Sequence, residues 1–190
     1  MANRQRLLWA VATRRQLDRW EALVAAFVRA DMGRGPAFES TAIWQTAIEH
    51  HFVLIAARNL VHAIELDPPT DVILDPTMRT ELVDGRNLLE HWIEGMPVFN
   101  MHPRREVPRQ SERFAALNPR HGPYEWLSWS NTDGAEVMPH VSAFQLHDLL
   151  DAIEEDVLAK DPSFARFIEP RTPSPWERGE YGWFPTRVDE

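Results

Sequence analysis

The sequence predicts a mainly α-helical bundle, and three observations predict it. Apolar residues recur at helical spacing in four separate segments. Proline and helix-capping residues stand at the ends of those segments. Strand-like composition is confined to one aromatic stretch late in the chain.

The first helix is expected from about Arg4 to Ala30, where Leu7, Val11, Trp20, Val24, Phe27 and Val28 form a broken apolar stripe. Gly33, Gly35 and Pro36 end it. The second is expected from about Glu39 to Leu66, before Pro68 and Pro69. Its centre, Phe52 to Ala57, is apolar on every side, the pattern of a buried helix. Asp75 caps a third helix with Pro76 in its first turn, running to about Ile93. At about 100° per residue, Met78, Leu82, Gly85, Leu89 and Trp92 share one face, and Gly85 there admits the close approach of another helix. Ser142 with Gln145 reads as a capping box for the last helix, whose stripe is Leu146, Leu149, Leu150, Ile153 and Val157.

Residues 96–141 form an insertion rich in proline and arginine. Within it, Tyr124 to Trp129 and Ala135 to Val141 flank a turn at Asn131 to Gly134, which predicts a small β-hairpin. The expected organisation is a bundle domain over residues 1–160 carrying that insertion, then a proline- and aromatic-rich tail over 161–190. A tail with Phe164, Phe167, Trp176, Tyr181, Trp183 and Phe184 is expected to be ordered and irregular, with Trp176 and Trp183 packed on the bundle or a second subunit.

A length of 190 residues fits one domain with a substantial core. The absence of cysteine excludes disulfides, thiolate nucleophiles and cysteine-ligated metals. No apolar run reaches the length of a membrane span, so no membrane partner and a cytoplasmic location are expected. The net charge of −9 argues against nonspecific nucleic-acid binding over the whole surface. Positive charge is nonetheless clustered: Arg4, Arg6, Arg14, Arg15 and Arg19 make the first helix basic, and Arg104, Arg105, Arg109, Arg113 and Arg120 form a second stretch. Lys160 is the only lysine, so nearly every cation is a guanidinium, the better fork for phosphate. No phosphate-cradling glycine loop, nucleophile elbow or zinc-helix spacing occurs, and no cofactor or metal is expected. His102, His121 and His140 have no ligand spacing, and His147 is expected at the surface.

One segment carries the elements of a reaction. Arg86-Asn87-Leu88-Leu89-Glu90-His91 puts a guanidinium, an amide and an imidazole on the third helix. These supply a cation for phosphate, a polar orienter and a group that titrates near neutral pH. His91 lies roughly 140° round the helix from Arg86, with Val83, Asn87, Glu90 and Glu94 between them, on the face away from the apolar stripe. A wet face held by Arg86–Glu90 and Asn87–His91 pairs at helical spacing accounts for the same residues without chemistry. Arg58, Asn59 and His62 on the second helix read as a supporting polar network, with Asp84 or Glu90 as partners.

The spelling R-N-x-x-x-H in a helix of a mainly helical chain resembles the HEPN superfamily, and the run through Trp92 and Met96 to Phe99 is similar to uncharacterised actinobacterial proteins of that kind. The resemblance implies a bundle of four or five helices and a homodimer in which the motifs of the two subunits face each other across a shared cleft. It also implies a metal-independent endoribonuclease acting on single-stranded RNA, in a toxin–antitoxin or anti-phage setting with an antitoxin-like protein partner. By that resemblance Arg86 holds the phosphate, His91 is general acid or base and Asn87 orients them, with Arg104 and Arg105 as further substrate contacts. The alternative is a noncatalytic helical module that binds a protein partner.

Overall fold

The computed structural model describes residues 2–31, 36–66, 72–95, 129–130, 134–138, 140–168 and 173. Among them the protein is mainly α-helical with a small antiparallel sheet. Helices α1 (Ala2–Asp31), α2 (Pro36–Glu65) and α3 (Pro76–Gly95) are followed by strands β1 (Trp129–Ser130), β2 (Gly134–Met138) and β3 (Val141–Ser142). Helix α4 (Ala143–Lys160) and a 3-10 helix (Pro162–Phe167) close the order. No helix among the described residues is long and apolar enough to cross a membrane.

The local signals act where the sequence puts them. Asp75 Oδ1 accepts the Met78 amide at 2.9 Å, satisfying a donor that the first turn of α3 leaves open, and Pro76 begins the helix. Ser142 Oγ accepts the Gln145 amide at 3.2 Å, while Gln145 Oε1 accepts the Ser142 amide at 2.8 Å, a complete capping box. At the other end of α4, Asp161 serves twice. Its amide donates to the Val157 carbonyl, and its carboxylate accepts from Ser163 to start the 3-10 helix.

The core lies between α1, α2 and α4, with α1 packed chiefly on α2 and then on α4. Leu17, Trp20 and Val24 of α1 meet Leu54, Leu60 and Val61 of α2 and Leu146, Leu150 and Ile153 of α4, all buried. The expected stripe of α4 is buried throughout, and so are Met78, Leu82 and Gly85 of α3. Helix α2 departs from expectation. Its inner face is buried, but Ile48 and Phe52 are 53% and 46% exposed, so it is not surrounded on all sides. Beyond α4, Phe164 and Ile168 pack against the core, whereas Trp176 and Trp183 lie outside the described residues.

The sheet has order β1-β2-β3, with Trp129 opposite Ala135 and Glu136 opposite Ser142. Register shifts between Glu136 and Met138. That irregularity lets consecutive residues Val137 and Met138 both be buried, which a regular pleat forbids. Strand β2 is anchored from two helices. The ring of His50 on α2 is stacked obliquely on Trp20 at 5.2 Å, and its Nε2–H donates to the Val137 carbonyl at 2.6 Å. Met138 fills the space over Gly85 on α3, where a Cβ would stand 2.5 Å from its Sδ. The sequence reads Gly85 as an opening for a helix; the hairpin takes it instead.

Two outcomes follow. Gly85→Ala gains about 1 kcal/mol of helix propensity and displaces only the flexible end of Met138, so its melting temperature should stay near that of wild type. Gly85→Leu must push β2 away, and thermal unfolding should show a loss of about 2–3 kcal/mol.

Burial, with a smaller contribution from nearby His51, lowers the His50 pKa to about 4 from an ordinary 6.5. The unfolded chain therefore binds the extra proton first. Stability is full above pH 6.5 and falls as pH drops towards 4, by on the order of 3 kcal/mol. His50→Gln should be less stable at pH 7.5 yet lose less between pH 6.5 and 4.5 in urea titrations. An unchanged slope would show that another group sets the acid limb.

Candidate functional site

The segment Arg86 to His91 is continuous helix within α3, and Arg86 is half-buried. The side chains of Asn87, Glu90 and His91 fall outside the described residues, as do Arg104 and Arg105. Arg58, Asn59 and His62 are half-buried on α2. Their surroundings include a bridge the sequence reading did not anticipate: Glu65 accepts from Arg79 Nε of α3 and lies 3.5 Å from His62 Nδ1.

That bridge sets the height of α2 against α3. The two helices are antiparallel, and Arg58 precedes Glu65 by seven residues as Arg86 follows Arg79 by seven. Seven residues are nearly two whole turns, so on each helix the arginine falls on the face that carries the bridge. Arg58 Nε is buried with no acceptor. The predicted set thus has one guanidinium on each of two neighbouring helices, and that of Arg58 has an unmet donor suited to an anionic oxygen.

A second polar constellation is buried between α1 and α4. Arg14 binds Glu154 with both arms, Nε to Oε1 at 3.0 Å and Nη2 to Oε2 at 3.1 Å. Its Nη2 also reaches Asp151 Oδ1 at 2.7 Å. Burial opposes the charge, but the hydrogen bonds and charges of Glu154 and then Asp151 overcome it and raise the Arg14 pKa. His147 Nε2 lies 2.8 Å from Glu21 Oε2, and both residues have no exposed surface. Arg6 pairs with Asp156 at 3.1 Å, and Lys160 binds the same carboxylate.

These positions correct two expectations. Arg6 and Arg14 do not add to a basic surface, because they are 2% and 5% exposed. His147 is not a surface residue. The signal was present in the phase of the helices: Leu7, Arg14 and Glu21 repeat every seven residues on α1, and His147 and Glu154 repeat every seven on α4. Charged residues in register with buried leucine require partners across the interface.

Asp18, Glu21 and His147 offer ligand atoms within 4.8 Å of one another. The proton distribution argues against a cation there. A carboxylate only accepts, so Nε2 of His147 carries the hydrogen given to Glu21. Its Nδ1 then turns a lone pair to Arg14 Nη1 at 3.5 Å. Metal ligation through Nε2 would move that hydrogen to Nδ1, against a guanidinium, where a ligating histidine needs an acceptor. The arrangement is a charge network that locks two helices. The second oxygen of Glu21 remains buried without a partner.

No family model, curated protein or solved structure matches the chain.

Removing Arg14 should expose the cost of the network. Arg14→Ala leaves Glu154 and Asp151 without their cation and should cost about 3–5 kcal/mol. For a chain of this size the melting temperature should fall by roughly 6–20 °C. Arg15→Ala, on the exposed side of the same helix, should change stability by no more than about 0.5 kcal/mol. Equal effects of the two substitutions in calorimetry would contradict the assignment.

Proposed function

We propose that this protein is a HEPN-like, metal-independent endoribonuclease that cleaves single-stranded RNA in a toxin or anti-phage role and works as a homodimer. The reading is supported by the Arg86-Asn87-x-x-x-His91 spacing on α3, with Arg58, whose Nε is buried without an acceptor, on the neighbouring helix α2. The open donor of Arg58 favours a bound phosphate, because an anionic oxygen would satisfy it.

The chemistry needs no further group. The ribose 2′-hydroxyl attacks the adjacent phosphorus and its proton goes to a base; the bond to the 5′-oxygen breaks and that oxygen takes a proton. Products are a 2′,3′-cyclic phosphate and a 5′-hydroxyl. His91 serves as acid or base, Arg86 and Arg58 hold the phosphate oxygens, and Asn87 orients the pair. Arg104 and Arg105 extend the cationic path for the RNA strand. The net charge of −9 favours a second reading, a noncatalytic helical module that binds a protein partner such as an antitoxin.

Cleavage of a fluorescent single-stranded RNA by the purified chain decides between them. Activity should persist in a chelator, fall by about 10²–10⁴-fold in His91→Ala, and fall clearly in Arg86→Lys, which loses the planar fork. Arg58→Gln should weaken RNA binding with little loss of fold. Cleavage that survives His91→Ala, or that disappears with the metal, would sink the mechanism. Absence of cleavage by wild type would leave the binding module.

A further inference from the structure

Helix α2 carries a seam on the side away from the core. Ile48, Phe52, Ile55, Asn59, His62 and Leu66 follow one another at intervals of 4, 3, 4, 3 and 4 residues. At about 100° per residue all six fall within about 40° of one line, and none of them is buried. Ile48 and Phe52 are half exposed, and Leu66 is 85% exposed. The Leu66 amide donates to the His62 carbonyl at 3.0 Å, so the line runs on through the end of the helix, about 27 Å in all.

Alternating steps of four and three residues make the period of about 3.5 by which one helix seats its side chains between those of another. The core does not use these positions: Val53, Leu54, Leu60 and Val61, round the other side of α2, are the residues buried in it. The flanks of the seam say what the missing helix carries. Glu49 is paired with Arg19 and Glu65 with Arg79. Arg58, which stands beside Ile55 and His62 at helical spacing, has no carboxylate partner among the described residues, and its Nε is buried without an acceptor. A carboxylate brought to that edge gains a charge-assisted hydrogen bond in a partly desolvated place.

A second copy of the seam does not supply that carboxylate. Arg58 is one residue from the midpoint of the line, so a copy laid on it in either direction sets guanidinium beside guanidinium. Asn59 near the same midpoint adds a demand for direction, because an inward amide favours a partner with a polar group opposite it.

We propose that the outer seam of α2 docks an amphipathic helix of a different protein. That helix has an apolar stripe at heptad spacing, a polar residue at its centre and carboxylates along the edge that meets Arg58. Under the proposed cleavage Arg58 also contacts phosphate, so helix and RNA would bind in turn; the docking itself does not rest on cleavage.

Fluorescence anisotropy with the full chain and a labelled three-heptad peptide tests it. The peptide has leucine at the inward positions, one central asparagine, and glutamate on both flanks; its control has lysine on the flanks. Wild type should bind the glutamate peptide about tenfold more tightly than the lysine peptide. Phe52→Asp should weaken that binding about tenfold with an unchanged circular dichroism spectrum. Ile48→Asp, at a position still more exposed, should do the same if Phe52→Asp fails to fold. Arg58→Glu should reverse the preference towards the lysine peptide. No binding by wild type, equal binding of both peptides, or binding that Phe52→Asp and Arg58→Glu leave unchanged would each overturn the proposal. Self-association of wild type that Phe52→Asp abolishes would overturn it too, in favour of a second copy on the seam. Peptide binding by a chain that cleaves no RNA would uphold the docking and count against the nuclease alone.

Discussion

The buried guanidinium of Arg14 is the interaction on which the rest of the arrangement depends. Apolar contact between α1 and α4 is non-directional and tolerates sliding by a turn. A guanidinium held by two carboxylates does not, because a slip would leave buried charges without partners at a cost of several kcal/mol. Glu21 and His147 repeat the constraint two turns further along. Together they fix the height of α1 against α4.

That height propagates. With α1 fixed, Trp20 comes to rest against His50 of α2, and His50 is then aimed at the Val137 carbonyl. The bond to Val137 holds β2 across the bundle, so Met138 falls over Gly85 of α3, one residue before Arg86. The position of the motif helix is thus tied to a charge network on the other side of the protein through a series of contacts, each polar or shape-specific. Glu65 and Arg79 secure the same helix from its other end.

What could be read from the sequence was what is local. The Asp75 cap, the Ser142–Gln145 box and the stripe of α4 are each set within a few residues, and they form as the spacing dictates. The polar interior was less legible because arginine count says nothing about direction. Arg6 and Arg14 were grouped with Arg4, Arg15 and Arg19 as one basic helix, although their phase matches the buried leucines. The same composition-based reasoning put His147 at the surface. Ile48 and Phe52 mislead in the opposite sense: an apolar run on α2 suggests burial all round, but there is no element over that face among the described residues close enough to cover it. The Glu65–Arg79 bridge was out of reach for a different reason: it depends on how α2 and α3 pack, which local spacing does not specify.

The distribution of charge bears on how an acidic protein could hold the RNA proposed as its substrate. With a net charge of −9, long-range attraction is unfavourable and binding must rely on contacts inside the Debye length, about 8–10 Å. Inside that distance the sites differ sharply. The interface of α1 and α4 encloses its arginines with Glu154, Asp151 and Asp156 and has no cation to offer. The outer face of α4 repels phosphate through Asp148 and Glu155. Under the proposed cleavage the phosphate contacts on the described helices would therefore come from Arg58 and Arg86 on α2 and α3.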